Sequence, residues 1–260
     1  MAWSERQHAL MRGLGLRLWS PPERAPVVAP PPLLPPSAPP TPPPPALRVS
    51  EPMAAPLRPL SRALSSAGLD WPALREAVAA CRACGLCEGR TQTVFGVGHP
   101  QAHWLVVGEA PGEQEDLNGE PFVGAAGQLL DRMLAALNLT RSSEGDAPPE
   151  RRVYITNTLK CRPPRNRNPS AEELAACEPF LVRQIALLQP RLILAMGRFA
   201  VQSLLRSDEP VGKLRGRVHH YQGVPLVVTY HPAYLLRNLP DKAKAWDDLC
   251  LAASVAEAAP

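Results

Sequence analysis

The chain has 260 residues, 33 prolines, six cysteines and a formal net charge of +4. That length holds one full-sized domain with a tail, and the mild positive balance permits a polyanionic partner without requiring one. No stretch approaches a membrane-spanning apolar run, and the first residues (Glu5, Arg6, His8) lack the apolar block of a secretion signal, so a cytoplasmic protein is expected. In that compartment cysteines serve as metal ligands or buried thiols rather than disulfides.

Residues 1–20 read as a short amphipathic piece with Leu10, Met11, Leu14, Leu16 and Trp19 as its apolar members. Residues 21–60 hold 17 of the 33 prolines. Such a tract makes neither helix nor sheet, so residues 21–68 are expected to be an extended, disordered linker that leaves residues 1–20 as a tethered peptide. That peptide has two readings. One is a frayed tail with a chance Leu/Trp pattern. The other follows from Arg6, Leu10, Gly13-Leu14-Gly15 and Trp19-Ser20-Pro21, which resemble the N-terminal peptide of the psi subunit of the bacterial clamp loader and would imply docking to the replication machinery.

A folded domain is expected over residues 69–260. Asp70 is a candidate N-cap with Pro72 in the first turn and Leu74, Val78 and Ala79 on one face. Short apolar runs predict strands at Trp104–Val107, Val153–Thr156, Leu192–Ala195 and Leu226–Thr229. Helices are predicted between and after them, at Ala125–Leu137, Ala171–Leu188, Arg198–Arg206 and Lys242–Val255, with a kink or a helix start at Pro179. Strands alternating with helices predict a three-layer α/β/α fold around a central four-stranded parallel sheet.

The first of these strands stops at Gly108 and runs into a loop that carries Glu109, Glu113, Glu115 and Asp116 among Gly and Pro, a composition unsuited to a core. Carboxylate loops at the carboxyl ends of parallel strands are where α/β proteins build sites. The cysteines form a second constellation. Cys81 and Cys84 are a C-x-x-C pair, and Cys161 and Cys177 a wider pair, which together supply the four thiolates of an iron–sulfur or zinc site. Cys87 extends the first pair and competes as a ligand on spacing alone, while Cys250, between Leu249 and Leu251, reads as a buried free thiol. Cys161 is also surrounded by Lys160, Arg162, Arg165 and Arg167, with Pro-Pro and Asn-Pro steps that keep the segment non-helical. A thiolate site pinning a basic loop points to a nucleic-acid partner, whose phosphates those cations would neutralise.

Four motifs then carry a family resemblance. Gly108-Glu109-Ala110-Pro111-Gly112 with Glu115-Asp116, Gly119-x-Pro121-Phe122-Val123-Gly124-x-Ala126-Gly127, Ile155-Thr156-Asn157-x-x-Lys160-Cys161-Arg162-Pro163-Pro164, and Tyr230-His231-Pro232-Ala233-Tyr234-Leu235-Leu236-Arg237 resemble, in this order, the family 4 uracil-DNA glycosylases. The likeness covers about residues 75–255. It implies hydrolysis of the N-glycosidic bond of uracil in DNA, leaving an abasic site for base excision repair. It also implies a structural [4Fe-4S] cluster on Cys81, Cys84, Cys161 and Cys177, with Cys87 an extra thiol. Spacing alone leaves zinc open.

Under the resemblance, the expected roles are these. Phe122 is the stacking face for a flipped base, and Asn157 reads the uracil edge, donating to O4 and accepting from N3–H. His231 hydrogen-bonds the charge developing at O2, as a neutral or a cationic ring. Ala110 stands where the family 1 enzymes carry the Asp of a Gln-Asp pair, so Glu109 and Glu115 are the candidates to orient water or steady the cationic sugar, with Ala110 and Asn166 on the substrate side. A local role for Glu115 or Asp116 is the alternative: capping the loop, or pairing with Arg165 or Arg167. Lys160, Arg162, Arg165, Arg167 and Arg237 are expected to hold phosphate, and Leu235 or Leu236 to fill the gap left by the base. The expected protein is a monomer associated with the bacterial nucleoid. The competing readings are an inactive cluster-bearing module tethered to the replication machinery and a small-molecule hydrolase on the same scaffold.

Overall fold

The computed structural model describes Ser66 and residues 68–258. The docking peptide and nearly all of the linker expected at residues 1–68 lie outside the described residues. Helix α1 (Trp71–Ala79) starts as expected, with Asp70 Oδ1 accepting the Ala73 N–H at 3.0 Å. A short α2 (Leu86–Gly89) and the strand β1 (Val97–Gly98) follow, then β2 (Trp104–Gly108), α3 (Glu113–Asn118) and α4 (Ala125–Ala136). The chain continues through β3 (Val153–Asn157), α5 (Ala171–Leu188), β4 (Leu192–Met196), α6 (Arg198–Leu205) and α7 (Val211–Leu214). It ends with β5 (Val218–Tyr221), β6 (Val224–Thr229), α8 (Pro232–Arg237) and α9 (Asp241–Ala258).

The sheet has six strands rather than the four expected, in the order β1-β3-β2-β4-β6-β5. The four predicted strands are its inner, parallel members, and both added strands are antiparallel edges. The inner strands are buried on both faces, which is why they read as unbroken apolar runs. Alternation of side chains sorts them into two cores. Leu105, Val107, Ile193, Ala195, Leu226 and Val228 meet α5 and α6, whereas Trp104, Val106, Val153, Ile155, Leu192 and Leu194 meet α4 and α9. Three layers result. A satellite core of Leu74, Val78, Phe95, Leu159 and Phe180 surrounds the cysteines.

Three local expectations are corrected. Helix α5 spans Pro179 instead of starting there, its start being fixed by a capping box: the Glu173 N–H donates to Ser170 Oγ at 3.2 Å and the Ser170 N–H to Glu173 Oε2 at 2.9 Å. The acidic loop after β2 folds into α3, and its Asp116 is 3% exposed, taking the Thr91 N–H on both carboxylate oxygens. Cys250 is exposed, on the outer face of α9. No helix among the described residues is long and apolar enough to cross a membrane.

Candidate active site

The carboxyl ends of β2, β3 and β6 deliver Gly108-Glu109, Asn157 and, two residues beyond Thr229, His231 to one side of the sheet. An open cavity lies there. It is lined by Glu109, Ala110, Glu115, Phe122, Asn157, Asn166 and His231, so all seven residues expected to touch base or reaction centre face one space. Pro111, Gly112, Ala126, Pro163 and Ala233 also line it without being singled out by the sequence reading.

Asn157 is 2% exposed, and its Oδ1 is buried without a hydrogen-bond partner. An orphaned amide oxygen of this kind costs free energy unless a ligand supplies the donor. Its approach to Phe122 requires Gly108, since a Cβ there would sit 2.4 Å from Asn157 Oδ1 and 2.7 Å from Phe122 Cζ. Phe122 is 5% exposed, at φ +56°, with its ring stacked on His231 at 5.3 Å between centroids.

A left-handed Phe needs outside support, and two side chains provide it. Glu115 Oε1 accepts the N–H groups of Val123 and Gly124 at 3.0 and 3.1 Å, and its Oε2 accepts that of Gly112 at 3.1 Å. From the other side Arg141 donates to the carbonyls of Pro121 and Phe122 at 2.9 and 2.8 Å, while Asp131 holds its guanidinium. Glu115 therefore has the local, loop-fastening role that the sequence offered as its alternative, although it still borders the cavity. Arg141 lies outside every motif, and nothing in its spacing flags it.

Glu109 has no hydrogen bond to its carboxylate among the described residues, while its carbonyl is fastened by Thr158 Oγ1 at 2.5 Å and the Leu159 N–H at 3.1 Å. Burial raises its pKa above the ordinary carboxylate range. That leaves a carboxylate on the cavity wall with its backbone anchored and its own oxygens unbonded among the described residues. His231 Nδ1 accepts the Ala233 N–H at 3.2 Å, which puts the ring proton of the neutral form on Nε2. Burial, reinforced by Arg237 and opposed by Glu115, lowers its pKa to about 4. With its pKa held that low, the ring favours the neutral form at pH 7, with its N–H on Nε2.

The expected DNA-contact residues divide. Arg165 is exposed and has no partner among the described residues, and Leu236 and Arg237 are exposed beyond His231. Arg162 bonds Asn166 Oδ1 at 2.8 Å, and Arg167 is held by both oxygens of Glu173, at 2.6 and 2.9 Å, rather than by Glu115 or Asp116. Two expectations fail. Lys160 is 1% exposed, with its ammonium directed into the fold, so it reaches no phosphate. Leu235 is 1% exposed, because the turn of α8 points it into the core and leaves Leu236, 42% exposed, as the projecting side chain. Leu239, which the sequence does not flag, is 61% exposed nearby in the chain.

Cys81, Cys84, Cys161 and Cys177 line a second, narrow apolar pocket, together with Cys87, Leu86 and Phe180. Cys161 Sγ accepts from Arg90 at 2.9 Å, Cys177 Sγ from the Lys160 N–H at 3.3 Å and Cys81 Sγ from the Ala83 N–H at 3.5 Å. Among the described residues no three His, Cys, Asp or Glu side chains converge as closely as a single metal ion requires. Four thiols with N–H groups directed at three of their sulfurs have the donor chemistry that an iron–sulfur group takes. Burial pushes the Cys177 thiol up to about 12 and raises Cys84 and Cys161, so these groups ionise only against a strong cationic partner.

Comparison with known proteins agrees with this arrangement. The family model described as Uracil DNA glycosylase superfamily matches residues 95–250. A type-4 uracil-DNA glycosylase of Archaeoglobus fulgidus is 42% identical over 167 residues, 61% of this chain and 79% of the relative. Its namesake in Pyrobaculum aerophilum is 41% identical over 193 residues, 70% of this chain and 93% of the relative. That of Thermotoga maritima is 41% identical over 165 residues, 63% and 81% of the two chains. The chain belongs to the uracil DNA glycosylase superfamily, within its type-4 family.

Proposed function

We propose that this chain is a hydrolase that flips uracil out of DNA and cleaves its N-glycosidic bond, leaving an abasic site for base excision repair. The observation that carries the reading is the orphaned Oδ1 of Asn157 on the wall of the cavity. Uracil N3–H supplies the missing donor, and the amide N–H₂ answers O4. Cytosine presents an acceptor at N3 and a donor at the exocyclic nitrogen, so a fixed amide rejects it.

Bond cleavage leaves negative charge on the base and positive charge on the sugar. His231 Nε2–H donates to O2, where the charge gathers, and a neutral donor suits a site that must not hold an anion after release. Phe122 covers the face of the base. Glu109 orients the attacking water, takes its proton and steadies the cationic sugar. Glu115 and Arg141 keep the Phe122 loop in place. Arg162, Arg165, Arg167 and Arg237 answer phosphates, and Leu236 fills the gap in the stack.

Cys81, Cys84, Cys161 and Cys177 hold a [4Fe-4S] cluster in this reading, and Cys87 stays outside the ligand set. These residues would tie the segment between α1 and α2 to the segment after β3 and to α5, and the group would supply structural support rather than a step of the hydrolysis. Residues 69–260 are the catalytic unit, preceded by the Pro-rich linker 21–68 and by residues 1–20, which are either a frayed tail or a docking peptide for a clamp-loader component. The enzyme works as a monomer in a bacterial cytoplasm, on the nucleoid.

The test uses protein purified away from air and a labelled oligonucleotide with one uracil, beside cytosine and thymine controls. Strand scission by alkali at the uracil alone, with visible iron–sulfur absorption, is expected. Protein that binds the oligonucleotide and releases no base overturns the reading in favour of a binding module.

A further inference from the structure

Lys160 is the largest side chain among the fully buried ones. Its ammonium donates to Thr156 Oγ1 at 2.6 Å, to the Asn157 carbonyl at 2.7 Å and to Gln184 Oε1 at 2.7 Å. Three donors meet three acceptors, a fit that only the protonated amine provides. No carboxylate accompanies it in this set. An apolar side chain here would take the ammonium donor away from all three buried acceptors at once, the Asn157 carbonyl among them.

The two ends of the residue lie in different sites. Its backbone N–H donates to Cys177 Sγ at 3.3 Å, its carbonyl accepts the Val94 N–H at 2.8 Å, and Cys161 follows it in the chain. Its tip lies against the last residues of β3, at the base-reading Asn157. Gln184 stands two turns beyond Cys177 on α5 and is itself fixed by donating to the Phe95 carbonyl at 2.9 Å. The helix that brings a cysteine to the chamber thus also brings an acceptor for the ammonium.

We propose that Lys160 is a positioning residue through which the cysteine site fixes the amide of Asn157, an inference that rests on Asn157 reading uracil. It gives the cysteine site a purpose in a hydrolysis that transfers no electrons. The segment Asn157-Thr158-Leu159-Lys160 is closed into a loop by its own side chain, and the thiols anchor the far end. Loss of the ammonium frees the Asn157 carbonyl and, with it, the angle at which the side-chain amide meets the base. The DNA-contacting surface is untouched.

The experiment compares Lys160→Met and Gln184→Met in the full chain with the parent and with Asn157→Ala. The readouts are kcat and KM on a uracil oligonucleotide, inhibition by free uracil, visible absorption and the melting temperature. Lys160→Met is expected to keep its absorption and its KM while kcat falls about 100-fold, the cost of a misplacement near 1 Å. Inhibition by free uracil weakens in parallel, and Gln184→Met moves the same readouts by about tenfold. A folded Lys160→Met protein with unchanged kcat and unchanged uracil inhibition overturns the inference. If that variant does not fold, unchanged values in Gln184→Met overturn it instead. If Asn157→Ala keeps its uracil inhibition, the base-reading assignment fails and the inference falls with it.

Discussion

A titration of activity separates the roles given to His231 and Glu109. The imidazole carries its proton on Nε2 and has its pKa lowered to about 4. At pH 7 about one ring in a thousand is then cationic, and at pH 5.5 still only about 3%. The histidine therefore produces no inflection between pH 5.5 and 9. Glu109 behaves in the opposite sense: burial raises its pKa, and it acts only when ionised, so the rate falls on the acid side at a pH above the ordinary carboxylate value. Single-turnover excision measured from pH 4.5 to 9 is expected to show one acid limb and a plateau. Glu109→Gln lowers the plateau and removes the limb. His231→Leu, which deletes the donor, lowers the rate by about 10²–10³ and keeps the limb. The same shift bears on stability. A ring whose folded pKa lies below its unfolded value leaves stability complete above about 6.5 and drains it as the pH falls towards 4, by about 3 kcal/mol in all. A limb centred near 6.5 that disappears in His231→Leu refutes the neutral-donor assignment.

Other substitutions follow from the same geometry. Gly108→Ala puts a methyl 2.4 Å from Asn157 Oδ1, and excision is expected to drop at least about 100-fold while circular dichroism stays native. Glu115→Gln loses part of a three-donor carboxylate clasp, with each charged hydrogen bond worth about 1.5–3 kcal/mol, so a loss of about 10–100-fold is expected, short of inactivation. Abolition of the rate with intact DNA binding would instead place Glu115 on the water. Leu236→Ala is expected to slow excision from a paired uracil about tenfold more than from a single strand, measured on matched oligonucleotides.

Much of the layout is legible in the residues, and the reasons for the gaps are physical. The inner strands announce themselves because both faces are covered, so each reads as a short apolar block ending at a turn. The edge strands do not: β1 is two residues long, and β5 alternates exposed with half-buried positions through Val218-His219-His220-Tyr221. A usable signal lay beside β5, where Gln222 and Gly223 take positive φ in a two-residue hairpin turn. The cavity-lining residues lie at strand ends, in loops or in the first turn of the helix that follows, positions that sequence order conveys. Burial of a single side chain is not conveyed. Lys160 sits in a run of cations and reads as one more phosphate contact, yet the chain turns its stem inward to Gln184, 24 residues on. Leu235 and Leu236 are likewise indistinguishable until the turn of α8 fixes which one meets the core. Arg90 and Arg141 fasten the cysteine chamber and the Phe122 loop through contacts far apart in the chain, and no local pattern marks either.

The most direct test of the account is the excision rate of Asn157→Asp on uracil and on cytosine in the same sequence. A carboxylate accepts from the exocyclic amine of cytosine and opposes uracil O4, so uracil excision is expected to fall at least about 100-fold while cytosine excision rises to a measurable rate. An unchanged preference for uracil would mean that Asn157 does not read the base, and the cavity would need another reader.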